Sequence, residues 1–333
     1  LKPVMIIAEA GVNHNGDLNL AKRLVDMACD AKADAVKFQF YHTEQLAVPT
    51  LQKTKYQKRN TGCDDSQFDM LKKLELSAKD MEELFWYCKS KNIQFLSSAF
   101  EEESYEYLEQ LGVQILKIPS GEITNYLLLK RLSYLKQDII LSTGMASFDE
   151  IKDAIELLES NHIQRQIILL HCISSYPTKL SEVNLRVMES LRTTFLKQVG
   201  FSDHTIGYEA GLAAVAMGAT VIEKHITLNK EWNGPDHRVS MEPNEFKNYV
   251  NSIRRVEQAL GNGEKTLTEE EQQNKKLVRK YLVATRPIKQ GDTFTFENIG
   301  VKRVGEGITP MRINEILGRK AQIDYEKDER IKE

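Results

Sequence analysis

A chain of 333 residues, 41% hydrophobic and 28% charged, suits a soluble barrel of about 250 residues with a small appendage. Its formal net charge of −3 and lack of any polybasic stretch exclude non-specific nucleic-acid binding, so an anionic ligand must be held by a few local donors. Cys29, Cys63, Cys88 and Cys172 form no C-x-x-C pair, which excludes a disulfide framework, and the longest apolar runs are too short to span a bilayer.

In chain order, Val4–Ala8 is the first strand candidate, and no signal peptide is expected. Asp17 then caps a helix marked by Leu20, Leu24, Met27 and Ala31. Ala35–Gln39 is the second strand, followed by a polar and charged insertion, Phe40–Glu75, placed to shape the mouth of a barrel. Gln94–Ser98, Ile115–Pro119 and Asp138–Ser142 come next. Ser147 and Glu150 make a capping box before Ile151, Ala154, Ile155 and Leu158. Ile167–His171, Val199–Ser202 and Thr220–His225 complete a set of eight strands. The last long helix carries Phe246, Val250, Ile253 and Val256, and Gly261 and Gly263 end it.

The strands read as nearly continuous apolar runs, as parallel strands covered on both faces do. Eight βα units predict an α/β fold, a closed (β/α)8 TIM barrel. An open doubly wound sheet is disfavoured because no G-x-G-x-x-G follows the first strand. Expected boundaries are a barrel over 1–262, a solvated linker or linker helix over 263–280, and a small mostly-β domain over 281–333. Strand-like Leu282–Ala284 and Thr293–Phe296, with turn signals at 290–292 and 305–307, mark that last domain.

Catalytic groups of such barrels sit at the C-terminal ends of the strands. Here those ends carry Glu9; Lys37 and Gln39; Ser98; Lys117 and Ser120; Ser142; His171 and Tyr176; Ser202 and His204; and Glu223, Lys224 and His225. His204 and His225 end adjacent strands, and paired imidazoles near carboxylates suit a borderline divalent ion. His14 and His171 fit hydrogen-bonding support roles. Lys37 and Lys117, ringed by Ser98, Ser120, Ser142 and Ser202, form a cage for a phosphate and a carboxylate. A Schiff-base lysine, or a structural pair with Glu9 or Glu122, is the competing use of either one. Glu9, Glu223 and Asp236 can bind sugar hydroxyls or move protons, and the turn Asn233-Gly-Pro-Asp236 would carry Asp236 over the mouth.

At these residues the chain closely resembles the sialic acid synthase family. The matching segments are Ile6-Ile-Ala-Glu-Ala-Gly11, Asn13-His-Asn-Gly16, Val36-Lys-Phe-Gln39, Lys117-Ile-Pro-Ser-Gly-Glu122, Leu141-Ser-Thr-Gly-Met145, Leu170-His-Cys172, Tyr176-Pro-Thr178, Phe201-Ser-Asp-His204, Ile222-Glu-Lys-His225 and Gly234-Pro-Asp-His237. Each is short, but their order on successive strand ends is specific. The C-terminal part resembles the antifreeze-like SAF domain, a β-clip, that follows the barrel in this family.

The resemblance implies condensation of phosphoenolpyruvate with an acetamido-sugar aldehyde and water. His204 and His225 would hold Mn2+, with Mg2+ or Co2+ as substitutes. Lys37, Ser98, Lys117, Ser120, Ser142 and Ser202 would bind phosphoenolpyruvate. Glu9, Gln39, Tyr176 and Asp236 would bind the sugar, with Glu223 the first choice for acid/base work beside Glu9 and Tyr176. Arg303, in Val301-Lys-Arg303, would serve the active site of the partner in a domain-swapped homodimer. A cytoplasmic enzyme supplying surface polysaccharide is expected.

Leu96-Ser-Ser-Ala-Phe100 stands where many members have S-T-P-F, and Cys172-Ile-Ser-Ser-Tyr176 replaces C-T-x-E-Y, so Ser98-Ala99 and Ser174-Ser175 depart from the pattern. Arg303-Val-Gly-Glu-Gly307 likewise replaces R-P-G-N-G. The motifs with Pro119 and Asp236 point to a manno-configured sugar, since the pseudaminate branch carries K-I-A-S-F-E. N-acetylmannosamine, giving N-acetylneuraminate, is the first choice, and 2,4-diacetamido-2,4,6-trideoxymannose, giving N,N'-diacetyllegionaminate, the second. A catalytically dead sugar-binding protein is the non-enzyme alternative.

Overall fold

The computed structural model describes residues 2–63 and 65–332, which divide into two compact units, 1–262 and 263–333. In the first, eight parallel strands close a barrel in sequential order. They are β1 (Met5–Gly11), β2 (Ala35–Phe40), β3 (Gln94–Ala99), β4 (Ile115–Ile118), β5 (Asp138–Ser142), β6 (Ile167–His171), β7 (Gln198–Asp203) and β8 (Val221–His225). β1 runs past its expected end because the register with β2 shifts between Glu9 and Gly11, where Gly11 takes φ 53°. Asp17 caps the helix Leu18–Asp30 by accepting from the amides of Asn19 and Leu20 at 2.7 and 3.2 Å. Ser147 and Glu150 form the expected box, and Gly261 ends the helix Pro243–Leu260.

Side chains along a strand alternate between faces, and here the alternation builds the site. One parity, including Ala8, Phe38, Leu116, Leu141, Phe201 and Ile222, joins the large core against the helices. The other points into the barrel and is layered. Ile7, Ala35, Leu96, Ile140, Leu170 and Val221 fill the base as a small inner core. At the next inward positions toward the strand ends stand Glu9, Lys37, Ser98, Ser142 and Glu223, all buried. The apolar runs are thus covered on both faces only at the base. Packing there is tight: a Cβ on Gly200 would meet Val221 O at 2.4 Å and Leu170 Cδ2 at 2.7 Å, so that position of β7 needs glycine.

The insertion after β2 holds three short helices, Thr43–Leu46, Lys55–Thr61 and Gln67–Leu74. Capping boxes at Thr54/Gln57 and Ser66/Asp69 start the second and third. The insertion is not polar throughout. Met70 and Leu74 join Val12 and Tyr41 in a separate buried cluster, with Leu46, Leu71 and Phe100 packed on it.

In the second unit, the expected linker stretch contains an exposed helix, Glu269–Val278, started by a Thr268/Glu271 capping box. β9 (Tyr281–Ala284) and β10 (Ile299–Lys302) pair antiparallel over a core that includes Leu282, Ile288, Phe294, Ile299 and Tyr325. Thr293–Phe296, expected as a strand, has one isolated bridge at Thr293, is irregular at Phe294 and Thr295, and enters a turn at Phe296. Asn298 claims its backbone: the side chain accepts from Thr295 N at 2.8 Å and donates to Thr293 O at 3.0 Å. Among the described residues no helix is long and apolar enough to cross a membrane.

Candidate active site

The inward polar layer opens into a cavity of about 480 Å³ at the C-terminal ends of the strands. Glu9, Lys37, Gln39, Ser98, Lys117, Ser120, Ser142, Tyr176, Ser202, His204, Glu223, His225 and Asp236 all line it. Arg303 lies in the second unit, exposed, just past β10. Three strand-end or loop candidates are engaged elsewhere. His171 Nε2 donates to Val183 O at 2.7 Å, His14 Nδ1 accepts from Gly16 N at 3.0 Å, and Lys224 pairs with Asp203 on the outer face of the strands.

The two lysines differ. Lys37 sits 2.7 Å from Glu9 and 3.6 Å from Glu223, and it donates to Ser98 Oγ at 3.1 Å. Burial would lower its pKa, but Glu223 and Glu9 outweigh burial and raise it. The Glu9 pairing weighed as a structural use of one lysine is therefore present, at Lys37. Lys117 donates to Ser142 Oγ at 2.7 Å, and burial holds its pKa below the ordinary lysine range. It is the less compensated cation of the cavity.

The carboxylates are also driven apart. Burial raises Glu9 to about 7, against the pull of Lys37. Burial pushes on Glu223 too, but Lys117 and Lys37 hold it down at about 2, and Ser202 Oγ donates to it at 2.8 Å. Burial therefore drives Glu9 toward keeping a proton while the lysines favour the ionised form of Glu223. Asp236, delivered by its turn into a buried place, is raised to about 6 by burial.

His204 and His225 face each other with ring centroids 5.4 Å apart, and Tyr176 lies 4.3 Å from the first ring. His204 Nδ1 donates to Ile173 O at 2.8 Å, which leaves its Nε2 as the lone-pair nitrogen. His225 Nδ1 is buried with no hydrogen-bond partner among the described residues. Burial lowers the pKa of both rings, which favours the neutral form of each. Two lysines line the cavity against four carboxylates, Glu9, Glu122, Glu223 and Asp236. A cation beside the substrate would offset so many carboxylates; His204 Nε2, 3.4 Å from Ser202 Oγ, and the unpartnered His225 Nδ1 are nitrogen donors of the kind such a cation takes. No group of three or more ligand side chains converges among the described residues, so further coordination positions would fall to water and substrate.

Sequence reasoning put the insertion at the mouth but named none of its residues. Tyr56 stacks on Tyr176 with centroids 5.0 Å apart, Arg59 donates to Tyr176 O at 3.4 Å, and Asn60 Nδ2 donates to Pro235 O at 2.6 Å. The insertion after β2 and the loop after β8 are thereby joined across the mouth. Tyr56, Arg59 and Asn60 end no strand, so the strand-end rule had no way to select them. Ser174 lines the cavity, whereas the Ser175 hydroxyl points to Pro177 O at 3.5 Å.

A family model described as the NeuB family matches residues 24–265, and a SAF domain model matches residues 279–333. The chain is 49% identical to an N,N'-diacetyllegionaminic acid synthase of Campylobacter jejuni, covering 100% of both chains. It is 44% identical to one of Legionella pneumophila, covering 96% of this chain and 90% of the relative. Among solved structures, an N-acetylneuraminic acid (sialic acid) synthetase of Leptospira borgpetersenii superposes with a TM-score of 0.72 at 37% identity, over 82% of this chain and 90% of that one. With its barrel matched by the family model and its full length aligned to such synthases, the chain belongs to the NeuB family of sialic-acid-type synthases and carries a SAF domain behind the barrel.

Proposed function

We propose that the chain condenses phosphoenolpyruvate with 2,4-diacetamido-2,4,6-trideoxymannose and water, releasing phosphate and forming N,N'-diacetyllegionaminate. The observation that carries the reaction is the buried floor on which Lys117 with Ser142, and Lys37 with Ser98, stand beside the two buried imidazoles of His204 and His225. The choice of sugar rests on the relatives. Motifs alone ranked N-acetylmannosamine first; identities of 49% and 44% to legionaminate synthases, against 37% to a neuraminic acid synthetase, reverse that order and leave the reaction unchanged.

In this reading Lys117, Lys37, Ser98, Ser120, Ser142 and Ser202 bind the phosphate and carboxylate of phosphoenolpyruvate. His204 and His225 would hold the divalent ion, Mn2+ before Mg2+ or Co2+, which supplies Lewis-acid polarisation of the sugar's carbonyl when bound. C3 of phosphoenolpyruvate attacks the aldehyde carbon, and positive charge develops at C2. Glu223, ionised between the lysines, faces that charge as a fixed anion. Glu9 gives the proton that the aldehyde oxygen takes up. Water adds at C2 and returns one proton to Glu9, and phosphate leaves from the tetrahedral carbon by C–O cleavage, taking the other as the C2 carbonyl forms. Gln39, Tyr176 and Asp236 orient the sugar. The Val301-Lys-Arg303 motif and the SAF match support the assignment of Arg303 to a partner's sugar site in a homodimer.

One observation favours a second reading. Lys117 is held below the usual lysine range, as Schiff-base lysines are. Borohydride with substrate separates the two: a trapped lysine adduct supports the aldolase, and its absence with chelator-sensitive turnover supports the condensation. Phosphate release and product mass across a panel of acetamido sugars test the proposal directly; release with none of them would overturn it.

A further inference from the structure

One side of the cavity is chemically unlike the rest. Val12, Leu46, Met70, Leu71, Leu74 and Phe100, all of the separate apolar cluster, line it together. They come from the loops after β1, β2 and β3, and Met70 and Leu74 share one face of the helix Gln67–Leu74 by their i,i+4 spacing. Seating the insertion on the barrel would account for the buried members. It does not account for Leu46 and Leu71, which stay half-buried and face the cavity. Three polar side-chain atoms nearby, Gln57 Oε1, Gln67 Nε2 and the Tyr41 hydroxyl, are already engaged. Gln57 Oε1 accepts from Thr54 N at 2.9 Å and Gln67 Nε2 at 3.1 Å, and Tyr41 donates to Leu71 O at 3.1 Å.

A substrate hydroxyl laid against such a wall gives up water without gaining a partner, whereas a methyl group gains from burial. The reacting aldehyde belongs with the charged floor, so the far end of the sugar meets the insertion. We propose that this wall receives the methyl-bearing C6 end of the sugar and selects a 6-deoxy substrate over one with a hydroxyl at C6. The inference rests on the trideoxy-sugar reading above and assigns its specificity to Met70, Leu71 and their neighbours.

The test compares kcat/KM for 2,4-diacetamido-2,4,6-trideoxymannose and N-acetylmannosamine at saturating phosphoenolpyruvate and Mn2+. An apolar subsite of this kind discriminates by roughly 10- to 100-fold, so the wild type should prefer the trideoxy sugar by that factor. Met70→Gln and Leu71→Asn should each reduce the preference about tenfold, with the KM for phosphoenolpyruvate unmoved. Leu71 is half-buried, so its variant keeps the test available if Met70→Gln fails to fold, and thermal unfolding verifies both. An unchanged preference in the folded variants overturns the wall while leaving the trideoxy reading intact. A wild type that uses N-acetylmannosamine equally well or better overturns that reading, and the wall with it.

Discussion

Lys224 Nζ lies 3.0 Å from Asp203 Oδ2, with both side chains buried on the outer face of β7 and β8. The residues that follow them, His204 and His225, line the cavity. Asp203 and Lys224 are register partners; Asp203 Oδ1 also accepts from Thr205 N at 2.9 Å, and Lys224 donates to Thr205 O at 2.5 Å. The chain is pinned on both sides of His204. Removing one partner strands the other charge, which typically costs about 3–5 kcal/mol. Lys224→Met should lose that much in urea unfolding, and the double variant Asp203→Asn/Lys224→Met should recover part of it. Equal loss in single and double variants would show that the pair is not coupled.

His204→Ala and His225→Ala should each fold and lose turnover by at least about a thousandfold, the scale of a lost electrostatic catalyst. Chelator should inactivate the wild type, and Mn2+ should restore it. Full activity of either variant would remove these histidines from the proposed metal site.

Lys37 and Lys117 should respond differently to replacement by methionine. Lys37→Met leaves Glu9 and Glu223 without their shared cation and should lower the unfolding midpoint. Lys117→Met removes the less compensated cation, so it should fold normally and weaken phosphoenolpyruvate use by about a hundredfold. Kinetics and thermal unfolding of both variants check the contrast.

Burial holds the folded-state pKa of Asp236 at about 6, above its ordinary 3.8. The folded state therefore keeps this proton longer than the unfolded chain does. The associated stability is full below about 3.8 and is lost as pH rises through about 6. A gap of about two pH units corresponds to roughly 3 kcal/mol. Asp236→Asn, which cannot ionise, should match the wild type near the acid end and exceed its stability by ~2–3 kcal/mol at pH 8, while impairing use of the sugar. Unfolding curves at the two pH values decide it: the same difference at both would rule out burial of the carboxyl as the cause.

Mixing Arg303→Ala subunits with His225→Ala subunits should restore activity if Arg303 serves a partner's site. Two inactive parents and an inactive mixture would count against that arrangement.

The strands were legible as short, nearly continuous apolar runs, and the cavity's polar floor because the chemistry of such barrels sits at the strand ends. Ile7 and Glu9, Ala35 and Lys37, and Val221 and Glu223 are inward neighbours, and the switch from apolar to polar marks the end of the base layer. The insertion's own residues were not legible. Leu46, Met70 and Leu74 are scattered among polar residues and join Val12, Tyr41 and Phe100 only once the chain has folded. Thr293–Phe296 misled because its alternation suits a strand, and nothing local shows that Asn298 will take up its backbone groups. The bond between Lys37 and Glu9 required distances, since either lysine could have found that partner.

The three helices of the insertion form one contiguous segment, seated on the barrel by its own apolar cluster rather than by the main core. Such a segment can diverge without disturbing the strands that carry the reactive groups. A lineage keeping its inherited floor could therefore acquire a new diet by rewriting one stretch of chain. Family members acting on different nine-carbon products should differ most between residues 41 and 75 and least along the inward positions of the eight strands.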